Sequence, residues 1–365
     1  MRKIRILVAE DTKVARDILV EGIEEYSQAN LSGKNEIEIV KAESYSKALQ
    51  KIIESGTDNN YFDIFFADID FTEDGKGGKR DSGFELIERA FEVCPITAIV
   101  THSGQFHAKD LWDKYEDLKQ NGLIVRTMDK SHGEGGSQKW LNENLEKIVT
   151  EINEQAFLKD LWLNHKLILN NLNLNKIKIC SDPFRELSIK EEIASNFETI
   201  TMLLLKRKNF NADIILFRLI LQLYHRSLEV FIAGDKTEEE IVKISDSNKE
   251  AAFKWVADFG KPANDREFTS RQSFLRKLAA FTIDEKFKFG YILNIYRNRS
   301  VHPNKEFRPE IIHLLFANLT LAIFMSENKG EIKYQSIRDF YAKHAINFNW
   351  IAKKDFDKLI DFLKL

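Results

Sequence analysis

Two hydrophobic rhythms divide the chain. Over roughly the first 155 residues, short β-branched or aromatic runs at 4–9, 37–40, 62–67, 96–101 and 123–127 alternate with helix-length stretches near 13–29, 44–54, 83–93, 108–120 and from Gln138 onward. Short, continuously apolar runs separated by helical segments are what a parallel sheet buried on both faces requires, so the pattern predicts a doubly wound, five-stranded parallel α/β fold. Leu141, Leu145, Ile148 and Ile152 carry the spacing past the fifth unit, and apolar positions persist to Leu172. One continuous helix and two helices meeting near Ala156 both fit that spacing.

Strand-like alternation ends after Ile177-Lys178-Ile179-Cys180. From Leu187 the rhythm predicts amphipathic helices at 188–206, 211–233, 237–258, 270–298 and 308–326, with turns at Gly234-Asp235, Gly260-Lys261-Pro262 and His302-Pro303. The expected organisation is an α/β domain over 1–135 with its fifth helix reaching about 155, then a linker-helix region over 136–186. An all-α helical bundle over 187–328 and a helical tail over 329–365 follow.

A net charge of -3 over 365 residues gives no global attraction to polyanions, so any nucleic-acid contact must come from a local basic surface. Cys94 and Cys180 lack CxxC spacing, which argues against a disulfide framework and against structural zinc. The start, MRKIRILVAED, runs into a strand without a secretory pattern. The most apolar window, Ile311 to Met325, contains His313, Asn318 and Thr320 and is short for a membrane span. A cytoplasmic protein without a membrane segment is expected.

Ligands of doubly wound sheets sit beyond the carboxyl ends of the strands. At those ends stand Glu10 and Asp11, Asp68, Thr101 and Lys130. Converging carboxylates repel one another unless a cation joins them, and hard oxygen ligands suit Mg²⁺. The set Glu10, Asp11, Asp68 and the backbone carbonyl of Asp70 is therefore the candidate metal site. Lys130 would pair with a phosphate oxygen and Thr101 would offer it a hydroxyl. His102 and His107 follow the fourth run near this site and either tune it or are exposed loop residues, the second being the plainer reading.

The segments ILVAED, DIFFADID, AIVTHS and the lysine of RTMDKS resemble, in order, the four signatures of response-regulator receiver domains. The resemblance spans residues 1 to about 130. It implies a flavodoxin-like fold, Mg²⁺ as cofactor and phosphorylation of Asp68 by a histidine kinase or phosphotransfer protein. Three departures stand out: Ser131 follows Lys130 where receivers usually carry proline, Thr127 replaces an aromatic residue, and the loop DFTEDGKGGKRDSG is long.

In the second half, ILNIYRNRSVHPNKEF places Arg297, Asn298 and His302 as R-N-x-x-x-H before Pro303. Residues five apart on a straight helix point about 140° apart, but a residue preceding proline leaves the α region, which lets the His302 ring fold back toward Arg297. A guanidinium can grip a phosphodiester while an imidazole moves a proton, chemistry suited to metal-independent cleavage of RNA, whose 2′-OH is the nucleophile. DNA is then an unlikely substrate, and a two-fold dimer would supply the second histidine. The motif and its all-α setting resemble the HEPN superfamily (higher eukaryotes and prokaryotes nucleotide-binding). That likeness implies a dimeric ribonuclease with Arg297, Asn298 and His302 in a composite cleft and no cofactor.

A plainer reading of the same residues is a helix C-terminus whose basic groups meet the last carbonyls. Likewise Arg226 and Glu229 are either inward polar residues or an ordinary helix salt bridge. At the level of function, a phosphorylation-controlled ribonuclease stands against a signalling adaptor whose helices bind protein or nucleotide without catalysis. The other histidines, His165, His225, His313 and His344, show no metal-ligand spacing.

Overall fold

The computed structural model describes residues 2–31, 35–58, 60–72, 78–103, 109–121, 123, 126–129, 133–154, 156–172, 189–207, 213–233, 239, 243, 274–282, 285–301 and 309–325. They fall in two compact units, Met1–Ala156 and Phe157–Leu365.

The first unit is a five-stranded parallel sheet with flanking helices. Strands β1 (Arg2–Ala9), β2 (Asn35–Ala42), β3 (Ile64–Asp68), β4 (Ala98–Ser103) and β5 (Arg126–Asp129) pair in the order β2-β1-β3-β4-β5. They alternate with helices α1 (Lys13–Tyr26), α2 (Tyr45–Thr57), α3 (Ser82–Val93), α4 (Lys109–Gln120) and α5 (Gly133–Glu154).

Alternate side chains of each strand feed two apolar layers. Leu7, Ala9, Phe65, Ala67 and Ile99 pack with Ile52 of α2, Phe84 and Ile87 of α3 and Tyr115 of α4. Ile6, Val8, Phe66, Val100 and Met128 pack instead with Ile23 of α1 and Leu141 and Leu145 of α5. Both faces are thus covered, which is why the strands read as unbroken apolar runs.

β3 and β4 reach Asp68 and Ser103, beyond the ends at 67 and 101 that the pattern predicted. The extension corrects the reading of His102, which belongs to β4 and is buried rather than exposed in a loop. Asp68 likewise lies within the sheet. Where β3 ends, α3 presses on its main chain: a Cβ at Gly83 would stand 2.0 Å from the Asp68 carbonyl oxygen. The Gly83 amide donates to the Ile69 carbonyl at 3.0 Å, so only glycine permits this approach.

The second unit is helical. It comprises α6 (Ala156–Asn171), α7 (Ile189–Leu205), α8 (Asp213–Ala233), a stretch at 274–281, α9 (Glu285–Val301) and α10 (Ile311–Met325). α8 packs against α7, α9 and α10. The single helix predicted over 270–298 is two, because helical structure stops before Thr282. Apolar spacing on both sides hid that break. Gln155 between α5 and α6, the strand-like 177–180 with Cys180, the helix predicted at 237–258 except 239 and 243, and the tail at 329–365 lie outside the described residues. Cys94 is buried. Among the described residues, no helix is long and apolar enough to cross a membrane.

The bundle interior holds a hydrogen-bonded polar chain. Asn164 Nδ2 donates to Asn318 Oδ1 at 2.7 Å, Asn318 Nδ2 to the Tyr224 hydroxyl at 3.5 Å, and His165 Nε2 lies 3.0 Å from that hydroxyl. The His165 ring stacks on Phe197 with centroids 4.2 Å apart. Burial pushes the Tyr224 phenol far up and lowers the His165 imidazole to about 3, so both stay neutral at neutral pH.

Candidate functional site

The sheet order reverses direction between β1 and β3, and the acidic residues gather at that switch point. Glu10 and Asp11 leave the end of β1 and Asp68 closes β3, and one ligand oxygen from each lies within 4.8 Å of the others. Glu10 and Asp68 are buried and Asp11 is half-buried. Hard oxygens gathered this closely suit a divalent cation, since each charge raises the cost of the next.

Local main chain fixes the group. The Thr12 amide donates to Glu10 Oε1 at 3.1 Å, and the amides of Ile69 and Asp70 donate to Asp68 Oδ1 at 2.8 and 3.4 Å. Arg16, one turn into α1, donates from Nη1 to the carbonyl of Glu10 at 2.6 Å and that of Asp11 at 3.4 Å. Arg16 was not singled out in the sequence, although its place in the helix following the acid pair is a usable signal. Asp70 turns its carboxylate to its own loop, accepting from the amide and hydroxyl of Thr72 at 2.9 and 2.7 Å. Its main chain is thus the part to consider for a metal.

Thr101 is fully buried and pairs in register with Ala67 and Thr127. Its hydroxyl lies 3.4 Å from Thr127 Oγ1, which in turn bonds to the hydroxyl of Tyr115 on α4. An aromatic hydroxyl therefore reaches the position where the sequence offers only threonine, from a helix that local spacing does not connect to it. Lys130, Ser131 and His107 lie outside the described residues.

In the helical unit, Arg297 and Asn298 are half-buried on the last turns of α9, with Arg297 Nη1 donating to Asn298 Oδ1 at 3.0 Å. His302 and Pro303 lie outside the described residues. Arg226 meets Glu229 at 3.5 Å along α8, the helix salt bridge weighed in the sequence, and also meets Glu192 of α7 at 2.9 Å. Lys277 joins Glu229 at 3.5 Å. His225, absent from the predicted site, places Nε2 3.2 Å from Asn294 Oδ1, one turn before Arg297. Burial lowers its imidazole to about 4, with Glu229 opposing and the Arg297 charge adding to the shift.

No protein-family model matches the chain, and no curated protein matches it. Among solved structures, the chain is similar to a response regulator receiver domain protein (CheY-like) from Methanospirillum hungatei JF-1. The likeness has 20% sequence identity, covers 40% of this chain and 98% of that one, and gives a TM-score of 0.28.

Proposed function

We propose that this chain is a two-component response regulator. Its α/β unit is the receiver, phosphorylated on Asp68 by a histidine kinase or phosphotransfer protein, and its helical unit is the output. The observation that carries this reading is the meeting of Glu10, Asp11 and Asp68 within 4.8 Å at the switch point of the parallel sheet.

The donor set fits Mg²⁺: hard oxygens, two of the three carboxylates buried, and a loop main chain at Asp70 beside them. Glu10, Asp11, Asp68 and the Asp70 carbonyl would hold the ion. When bound, it neutralises charge on the incoming phosphoryl group. The Asp68 carboxylate, aligned by the amides of Ile69 and Asp70, attacks phosphorus in line with the departing donor. Thr101 and Lys130 then hold phosphoryl oxygens. Drawing the Thr101 hydroxyl toward the phosphoryl group loosens its contact with Thr127 and so alters the support of Tyr115 on α4. A local charge change thereby reaches a surface helix.

For the output we propose a homodimeric, metal-independent ribonuclease in which Arg297 and Asn298 bind the scissile phosphodiester and His302 transfers the proton. The pairing of Arg297 with Asn298 supports this, since it fixes one edge of a half-buried guanidinium. The test is cleavage of RNA by the full chain, with and without acetyl phosphate and Mg²⁺. Wild type is expected to cut RNA but not the matching DNA, with His302→Ala reduced about 10³-fold. Unchanged cleavage in His302→Ala removes the proposed catalyst. Absence of cleavage under every condition favours an adaptor.

A further inference from the structure

We propose that His102 is a positioning residue for the metal site: its ring, with Nδ1 beside Glu10 Oε2, holds that carboxylate in the orientation the ion needs. The inference rests on the reading of the acidic cluster as a magnesium site.

Asp68 pairs in register with His102, which in turn pairs with Met128, and Glu10 follows Ala9, the partner of Ala67. Glu10, Asp68 and His102 thus form one row across the three central strands. The row caps the layer lined by Val8, Phe66 and Val100 beneath α1 and α5. An imidazole in an apolar layer requires a polar partner. His102 is 2% exposed and Glu10 is 0% exposed, and His102 Nδ1 stands 3.3 Å from Glu10 Oε2. The Thr12 amide occupies the other oxygen, Oε1. Glu10 thus meets the loop main chain through one oxygen and faces the His102 ring with the other.

The imidazole is not itself part of the ligand set. The atoms within 4.8 Å of one another belong to Glu10, Asp11 and Asp68. His102 stands beside the acid, where its buried ring opposes the tendency of three neighbouring carboxylates to turn apart. Such outer partners orient ligands and commonly change metal affinity 10–100-fold.

The experiment is Mg²⁺ titration of the full chain by calorimetry, comparing wild type with His102→Phe, which keeps the ring volume and removes the donor, and with His102→Gln, which restores an N–H. The expected result is a roughly 10-fold or greater rise in Kd for His102→Phe and recovery to within about 3-fold for His102→Gln. Equal Kd values for all three, with Asp68→Asn still weakened, overturn the role of His102 and leave the metal site standing. No Mg²⁺ binding by wild type overturns both.

Should the variants fail to fold, long-range ¹H–¹⁵N spectra of histidine-labelled wild type decide the matter. A protonated Nδ1 at His102 supports the proposal, and an unprotonated Nδ1 overturns it.

Discussion

Asp68→Asn will acquire no phosphoryl group from acetyl phosphate and Mg²⁺ under conditions in which the wild-type chain acquires one, a loss of at least about 100-fold in rate. The amide is nearly the same size as the carboxylate and can still accept from the amides of Ile69 and Asp70, so the fold should persist. It lacks the anionic oxygen that the proposed attack on phosphorus requires, and it removes one of the three neighbouring carboxylates of the proposed metal site. Intact-mass spectrometry with unchanged circular dichroism is the readout. Asp11→Asn makes the complementary case, keeping the nucleophile while weakening the ion, so it should label slowly and be partly rescued by high Mg²⁺. Labelling of Asp68→Asn at the wild-type rate would assign the phosphoryl group to another residue.

The second large effect concerns acid. Burial lowers His165 to about 3, and His225 and His313 each to about 4, from an ordinary value of 6.5. His313 Nδ1 accepts the Glu310 amide at 2.9 Å, a bond that requires that nitrogen to be unprotonated. With folded pKa values below the unfolded ones, the unfolded chain binds more protons throughout the window between them. Stability is therefore full above about pH 6.5 and is lost progressively as pH falls toward 4. Each histidine contributes on the order of 2 kcal/mol of loss by pH 5, and three together rival the net stability of a typical domain. Thermal unfolding followed from pH 7.5 to 4.5 should show the helical unit's transition falling steeply below pH 6.5. A flat profile would mean these imidazoles are wet.

Much of this architecture was legible because the physics is local. Parallel strands covered on both faces must be apolar throughout, so the residue after each run is conspicuously polar, and Glu10, Asp11 and Asp68 announce themselves. Other features depend on distances that no spacing encodes. His102 reads as loop because Thr-His-Ser is polar, yet the strand continues to Ser103 and places it in register with Asp68. Tyr115 reaches Thr127 from a helix whose approach is set by packing. Gly83 looks like one more loop glycine until α3 is seen resting on the carbonyl of Asp68. In the bundle, α9 and α10 are buried widely around their circumference, so their periodicity is weak and the break at Thr282 left no mark.

The proposed switch depends most on a cation-binding acid pocket that would render Asp68 reactive, and ¹⁹F NMR of the full chain with beryllofluoride, titrated with Mg²⁺, addresses it directly. The prediction is a bound beryllofluoride resonance that appears only with Mg²⁺, saturates at one site per chain and is absent in Asp68→Asn. A spectrum showing only free fluoride species at all Mg²⁺ concentrations would contradict it.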